Sequence, residues 1–273
     1  MLILVVALKA EARPLIRHFC MTAEERDGSF RTFRSDTARL VVSGVGAAAA
    51  RRATEYATAG LDHPSPCLNV GVAGHGRLAV GTPLLIHKVT DRQTGDTHFP
   101  AFPFALPCAT ASLVTVTTAE TAYVDPCAYD MEGSGFFAAA VAAAGNELAH
   151  SVKVVSDNPL EPVQGLSGQR IGLLLGERLE LIESLVSVLT DCAGSVAGRH
   201  HDPPAYDLIL QRWHFTFTQR HQLRRLLQRW HALAPGDLEP EILDPLRGSS
   251  LRSARQVITF LQSRIDSLPF PLP

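Results

Sequence analysis

Ala128-Tyr129-Asp130-Met131-Glu132-Gly133-Ser134-Gly135-Phe136-Phe137 drops two carboxylates and a thioether into an otherwise apolar run. Upstream, Leu113 to Thr118 is threonine-rich and reads as a strand. Downstream, Phe136 to Gly145 is alanine-rich and reads as a buried helix. Glu132 therefore stands where a helix begins. A carboxylate in a first helical turn is favoured by the macrodipole and by amides that lack helical partners, so one reading of Glu132 is a helix-start charge. The other is a ligand contact.

Four further stretches belong with it. They are Ala7-Leu8-Lys9-Ala10-Glu11-Ala12, Ser43-Gly44-Val45-Gly46, Asn69-Val70-Gly71-Val72-Ala73-Gly74 and Lys153-Val154-Val155-Ser156-Asp157. Together with Asp130-Met131-Glu132-Gly133, in this order and spacing, they resemble the nucleoside phosphorylase and nucleosidase superfamily, and most of all its methylthioadenosine/S-adenosylhomocysteine nucleosidase-like branch. The resemblance spans roughly residues 1 to 192. It implies a three-layer α/β nucleoside phosphorylase-like fold with a central mixed sheet, no metal or organic cofactor, a homo-oligomer, and a nucleoside as substrate.

The same stretches have an elementary reading. Leu2 to Leu8 is continuously apolar, as expected of a strand covered on both faces. It is short, lacks a basic leader and runs into Lys9 and Glu11, so a buried strand is expected rather than a signal peptide or membrane span. Glu11 opens a helix carrying Leu15, Ile16 and Phe19. The crevice beyond strand ends is the usual ligand site of open α/β sheets, and a dipole-favoured acid describes Glu11 equally well. Leu40 to Ser43 reads as a strand and Gly44-Val45-Gly46 as a turn into a helix, Ala47 to Ala59. Exposed amides at Ser43 and Gly44 could hold an anion or a polarised water, although such turns also serve plain helix packing. Cys67 to Val72 is the next strand, and the small residues Val72, Ala73 and Gly74 at its tip leave room for a sugar or base. His75 reads as a solvated loop histidine. Thr82 to Thr90 continues the sheet, and Asp91 to Cys108, punctuated by Pro100, Pro103 and Pro107, reads as a long loop. Ser151 to Ser156 is a strand with Asp157 at its tip, where Asp-Asn-Pro also reads as turn chemistry. A helix from Gly176 to Cys192 closes the domain.

With 273 residues there is chain enough for a large domain and an appendage, here 1–193, a linker at 194–205 and an arginine-rich helical extension at 206–273. A net charge of −2 excludes a globally basic nucleic-acid binder. Five scattered cysteines read as reduced thiols in a cytoplasmic protein. His200 and His201 have no ligand partners at metal-site spacing and read as part of the polar linker. Leu210-Gln211-Arg212-Trp213-His214 recurs as Leu227-Gln228-Arg229-Trp230-His231, suggesting two related helices separated near Thr216 to Thr218. Leu223, Leu226, Leu227, Trp230 and Leu233 form one packing stripe, and Val257, Ile258, Leu261 and Ile265 another. Arg220, Arg224, Arg225 and Arg229 cover the remaining surface of the first. They read as a solvated face, with a protein or nucleic-acid partner as the alternative.

By resemblance, Asp157 meets the purine and serves as the acid, Glu132 and Met131 hold the ribose, Ser156 supports Asp157, and Glu11 activates water. Thr115 to Tyr123 falls where the branch binds its base but lacks the branch's Ser-Gly-Asp-Ala-Phe type of loop. Related phosphorylases have an arginine where this chain has Asn69 and a serine where it has Val72, which favours water over phosphate. The expectation is hydrolysis of a purine nucleoside, a 5′-modified adenosine in the first instance. Phosphorolysis, with phosphate as co-substrate, is the second reading, and a non-catalytic nucleoside-binding module with a partner-binding tail the third.

Overall fold

In β1 (Leu2–Val6) every side chain is buried, and the two sets of alternating residues enter different cores. Ile3 and Val5 join Val41, Ala50, Ala53, Phe136 and Ala140. Leu2, Leu4 and Val6 join Leu15, Leu40, Leu68, Ile171 and Leu185. A strand walled on both sides has no polar face, which is why its sequence does not alternate. The structure is a computed structural model describing residues 1–24, 28–61, 64–200, 204–233, 246 and 251–267. The chain divides into two compact units, Met1–Val196 and Ala197–Pro273.

The first unit is a three-layer α/β arrangement around a ten-stranded mixed sheet. In chain order come α1 (Lys9–His18), β2 (Thr22–Glu24), β3 (Arg31–Arg34), β4 (Ala38–Val42), α2 (Ala47–Thr58), β5 (Cys67–His75), β6 (Pro83–Asp91) and β7 (Thr97–His98). They are followed by β8 (Thr110–Thr115), β9 (Ala128–Asp130), α3 (Gly133–Ala144), β10 (Ala149–Asp157), α4 (Gly168–Gly176) and α5 (Leu179–His200). β4, β1, β5 and β10 run parallel side by side, so their carboxyl ends lie together. β10 also pairs with β6, β6 with β8, β8 with β9 and β9 back to β5, closing a ring of pairings. Ring closure brings the Met131-Glu132 corner after β9 to the same end as the tips of β5 and β10.

α2 and α3 pack closely because their contact faces are alanine and glycine. A Cβ at Gly135 would collide with the Ala47 carbonyl. α3 is buried nearly all round, consistent with its unbroken apolar sequence.

Several expectations shift in detail. The threonine-rich strand is Thr110–Thr115 rather than Leu113 to Thr118. The helix expected from Gly176 to Cys192 is α5, which starts at Leu179 after a separate α4 has ended at Gly176 and continues to His200 through the first part of the stretch read as linker. The long loop after Asp91 carries the short β7 against β6. His75 is not solvated: it is 5% exposed, and its Nδ1 accepts the amides of Arg77 and Leu78 at 3.0 and 3.1 Å. Burial, with the Arg77 charge, lowers its pKa. All five cysteines are free.

The second unit has α6 (Pro204–Arg212), α7 (Phe217–Leu233) and α8 (Ala254–Asp266). The recurring Leu-Gln-Arg-Trp-His segments lie at the ends of α6 and α7 and send both tryptophans into one core, with Leu223, Leu227, Val257 and Leu261. The Trp213 indole N–H donates to the Leu251 carbonyl at 3.0 Å. Arg224 stacks over the Tyr206 ring, and Arg229 makes an exposed pair with Asp266 at 3.5 Å, worth about 0–1 kcal/mol. The side chain of His200, and all of His201, lie outside the described residues. No helix among the described residues is long and apolar enough to cross a membrane.

Candidate active site

Glu11 lies in the first turn of α1, where the dipole argument put it, yet its carboxylate turns back into the sheet. Oε2 accepts the amides of Ala7 and Leu8 at 2.8 and 2.9 Å, and Oε1 accepts the amide of Val72 at 3.1 Å. The residue is 3% exposed. Burial raises its pKa, opposed by the nearby Lys153 ammonium and by the three amides. Gly71 is what permits this placement. A Cβ there would stand 2.8 Å from Glu11 Oε1 and 3.4 Å from Lys153 Nζ.

Glu132 is the N-cap residue of α3, and its Oε1 accepts the Gly46 amide at 2.9 Å. The glycine turn before α2 thus binds an anion, and that anion is a side chain of the protein itself. Burial first, then neighbouring Asp130, raise the Glu132 pKa, with Lys153 and the Gly46 amide acting against them. Asp130 faces inward: Oδ2 pairs with Lys153 Nζ at 2.9 Å and accepts the Gly133 amide, while Oδ1 accepts the Thr115 hydroxyl. Lys153 is 2% exposed, in the middle of an apolar strand. Burial alone would lower its pKa, but Asp130, Glu132 and Glu11 outweigh it and raise it. This lysine thus pairs with Asp130 and lies in the field of Glu132 and Glu11. Sequence reasoning gave Lys153 no role, although a lysine flanked by Val152, Val154 and Val155 needs a buried partner, and that signal was present.

At the other end, β10 shifts register between Val155 and Asp157. Consecutive strand residues normally face opposite sides; this irregularity lets Ser156 and Asp157 both open onto the same cavity. The Ser156 hydroxyl donates to Asp157 Oδ1, and the Tyr123 hydroxyl donates to Oδ2. Tyr123 was not anticipated, because nothing in its neighbourhood repeats at a helix or strand period.

Glu11, Glu132 and Asp157 line one cavity. Val72, Ala73, Gly74, Met131 and Ser156 line it as well. Ser43 and Gly44 do not. The Ser43 hydroxyl is spent on the Val6 and Gly44 carbonyls at 3.2 and 2.7 Å, and the Gly44 amide donates to Ala7. Val45 of the same turn takes their place at the wall. The departing segment, Thr115 to Tyr123, contributes Val116, Ala119 and Glu120, and Arg92 pairs with Glu120 at 2.6 Å. Asn69 is buried and spent within the sheet, donating to the Val5 carbonyl and accepting the Ser151 hydroxyl.

Among solved structures, the chain is similar to Arabidopsis thaliana 5′-methylthioadenosine nucleosidase in apo form, at 15% identity over 69% of this chain and 95% of that one, with a TM-score of 0.59. It is similar to a Helicobacter pylori 5′-methylthioadenosine/S-adenosylhomocysteine nucleosidase with butyl-thio-DADMe-Immucillin-A, at 11% identity over 68% and 97%, TM-score 0.54. A Chlamydia trachomatis MTAN bound to MTA matches at 20% identity over 67% and 97%, TM-score 0.50. What is shared at these identities is the fold: the chain carries a nucleoside phosphorylase/nucleosidase fold followed by a helical region. No protein-family model matches the chain, and no curated protein is similar to it in sequence.

Proposed function

We propose that the protein hydrolyses the N-glycosidic bond of a purine nucleoside, with a 5′-modified adenosine such as methylthioadenosine, S-adenosylhomocysteine or 5′-deoxyadenosine as substrate. The observation that carries the reading is the meeting of Glu11, Glu132 and Asp157, from three distant parts of the chain, around one cavity. Breaking the bond develops positive charge on the ribose and negative charge on the purine. A sugar end lined by Glu11 and Glu132 favours the first, as carboxylates do for oxocarbenium-like sugars. Ribose hydroxyls donate to Glu132, and Met131 packs on the sugar. Asp157, beside Ser156, delivers a proton to the purine ring. General-acid transfer of this kind is worth about 10²–10⁴ in rate.

Water is favoured over phosphate by the fate of the anion-binding amides. Ala7, Leu8 and Val72 present three N–H groups that could cradle a phosphate oxygen, and the Glu11 carboxylate already occupies them. A second anion there would meet Glu11 and Glu132, and the nearby Lys153 is already paired with Asp130. A carboxylate has about four lone-pair sites, so Glu11 retains one for a water, and its raised proton affinity suits a base. The proposal calls for no metal or organic cofactor. It includes a homo-oligomer, checked by light scattering.

The test is incubation of purified protein with a nucleoside panel, with and without phosphate, followed by chromatography. Free ribose sugar and free purine in both conditions support the proposal. A sugar phosphate formed only with phosphate would replace it with phosphorolysis. Intact nucleosides with measurable binding would make the protein a non-catalytic sensor.

A further inference from the structure

We propose that Tyr123 is a positioning residue for the acid, holding a hydroxyl ready to stabilise Asp157 as it gives up its proton. The inference rests on the hydrolytic reading and deepens it. Tyr123 is built into the wall behind Asp157. It is 8% exposed and absent from the cavity lining, whereas Asp157 lines the cavity. Its seat is cut from glycine. A Cβ at Gly74 would come within 2.6 Å of Asp157 Oδ2 and 2.9 Å of the Tyr123 ring, and one at Gly76 within 2.9 Å of the Tyr123 carbonyl. The backbone of Tyr123 is held at φ 46°, a left-handed conformation that a non-glycine residue adopts at a cost. Tyr129 closes the seat edge-on, with ring centroids 6.2 Å apart. A side chain held this tightly, with its hydroxyl on a carboxylate oxygen, keeps that oxygen in place.

The chemistry gives the contact its value. As the C–N bond breaks, the bonding pair leaves with the purine, the Asp157 proton moves to a ring nitrogen, and the carboxyl becomes a carboxylate. Hydrogen bonds from Tyr123 and Ser156 strengthen as that charge appears, so they favour the transition state over the ground state. Burial first of all raises the Tyr123 pKa, and the hydrogen bond to Asp157 raises it further once that carboxyl has become a carboxylate, so the phenol keeps its proton and remains a donor.

Tyr123→Phe removes the hydroxyl and leaves the ring in its seat. It is compared with the wild type on two substrates: the purine nucleoside found by the panel, and para-nitrophenyl β-ribofuranoside, whose leaving group departs without a proton. The expected result is a kcat about ten- to a hundredfold lower on the nucleoside, the scale of a hydrogen bond to a charged group, with KM nearly unchanged. On the aryl riboside kcat should be unchanged. Equal losses on both substrates would make Tyr123 merely structural, and no loss on the nucleoside would remove it altogether. Should Tyr123→Phe not fold by circular dichroism, meta-fluorotyrosine at position 123 keeps the shape and strengthens the donor. It should raise kcat on the nucleoside alone, and an unchanged kcat overturns the proposal. A wild type that releases no purine from any nucleoside sinks the hydrolytic reading and this inference together. An active wild type disabled by Asp157→Asn but not by Tyr123→Phe sinks only the inference.

Discussion

Replacing Lys153 by methionine removes the cation from a group of three carboxylates while keeping most of the side-chain volume. Lys153 and Asp130 are 2% and 1% exposed and 2.9 Å apart, so water does not screen their attraction. Breaking a buried pair from one side costs about 3–5 kcal/mol. Asp130 keeps two donors, the Thr115 hydroxyl and the Gly133 amide, which places the loss near the low end, about 3 kcal/mol. The loss should depend on pH, and the sign follows from linkage. Glu11 and Glu132 already have raised pKa values from burial, and Lys153 opposes both shifts. Without it the folded protein holds protons on these acids more tightly than the unfolded chain does. Stability of the variant therefore rises as pH falls through that window, and the deficit is larger at about pH 8 than at about pH 5.5. Urea unfolding followed by far-ultraviolet circular dichroism measures it. Tryptophan emission does not, since Trp213 and Trp230 both lie in the second unit. A deficit under about 1 kcal/mol, or one of equal size at both pH values, would refute the claim that Lys153 neutralises the site.

Gly71→Ala puts a methyl 2.8 Å from Glu11 Oε1; an overpacking loss of about 1–3 kcal/mol, seen by the same unfolding assay, should accompany a fall in kcat. Asp157→Asn should retain the fold, because one of the Ser156 and Tyr123 hydroxyls can still donate to the amide oxygen while the other turns to accept from the NH2 group, and should lower turnover by about 10² or more in a steady-state assay. Glu11 must be ionised to accept a proton from water, so kcat/KM should fall on the acid side at a pH above the ordinary carboxylate range; Glu11→Gln should abolish turnover rather than move that limb. In the second unit, Leu227→Ala opens a cavity at a fully buried site and should cost about 2–5 kcal/mol, read by tryptophan emission.

The strands around the site were legible because both of their faces are buried. Burial removes polar alternation and leaves unbroken runs such as Leu2 to Leu8, whose ends are marked by the first glycine or acid. Glu11, Glu132 and Asp157 stood out for that reason. The repeat that carries Trp213 and Trp230 was legible through identical side chains at identical spacing. Less legible were features set by neighbours distant in the chain. His75 looked solvated between two glycines, but the turn after β5 folds the Arg77 and Leu78 amides onto its ring. Ser43 and Gly44 looked free to bind a ligand, yet the carbonyls of Val6, Ala7 and Gly44 take up their donors.

From the chain alone came the apolar runs, the acids at their ends and the glycines that let the backbone turn tightly, because these depend on local periodicity and sterics. Only the folded molecule decided that the amides of residues 7, 8 and 72 clasp one carboxylate, that Lys153 lies in the field of three acids, and that Tyr123 stands behind Asp157. Each of these joins residues tens of positions apart. The attraction within each pair is strong because water is excluded around it, and apart from the Ala7 and Leu8 amides, which lie beside Glu11 in the chain, no single stretch of sequence contains both halves.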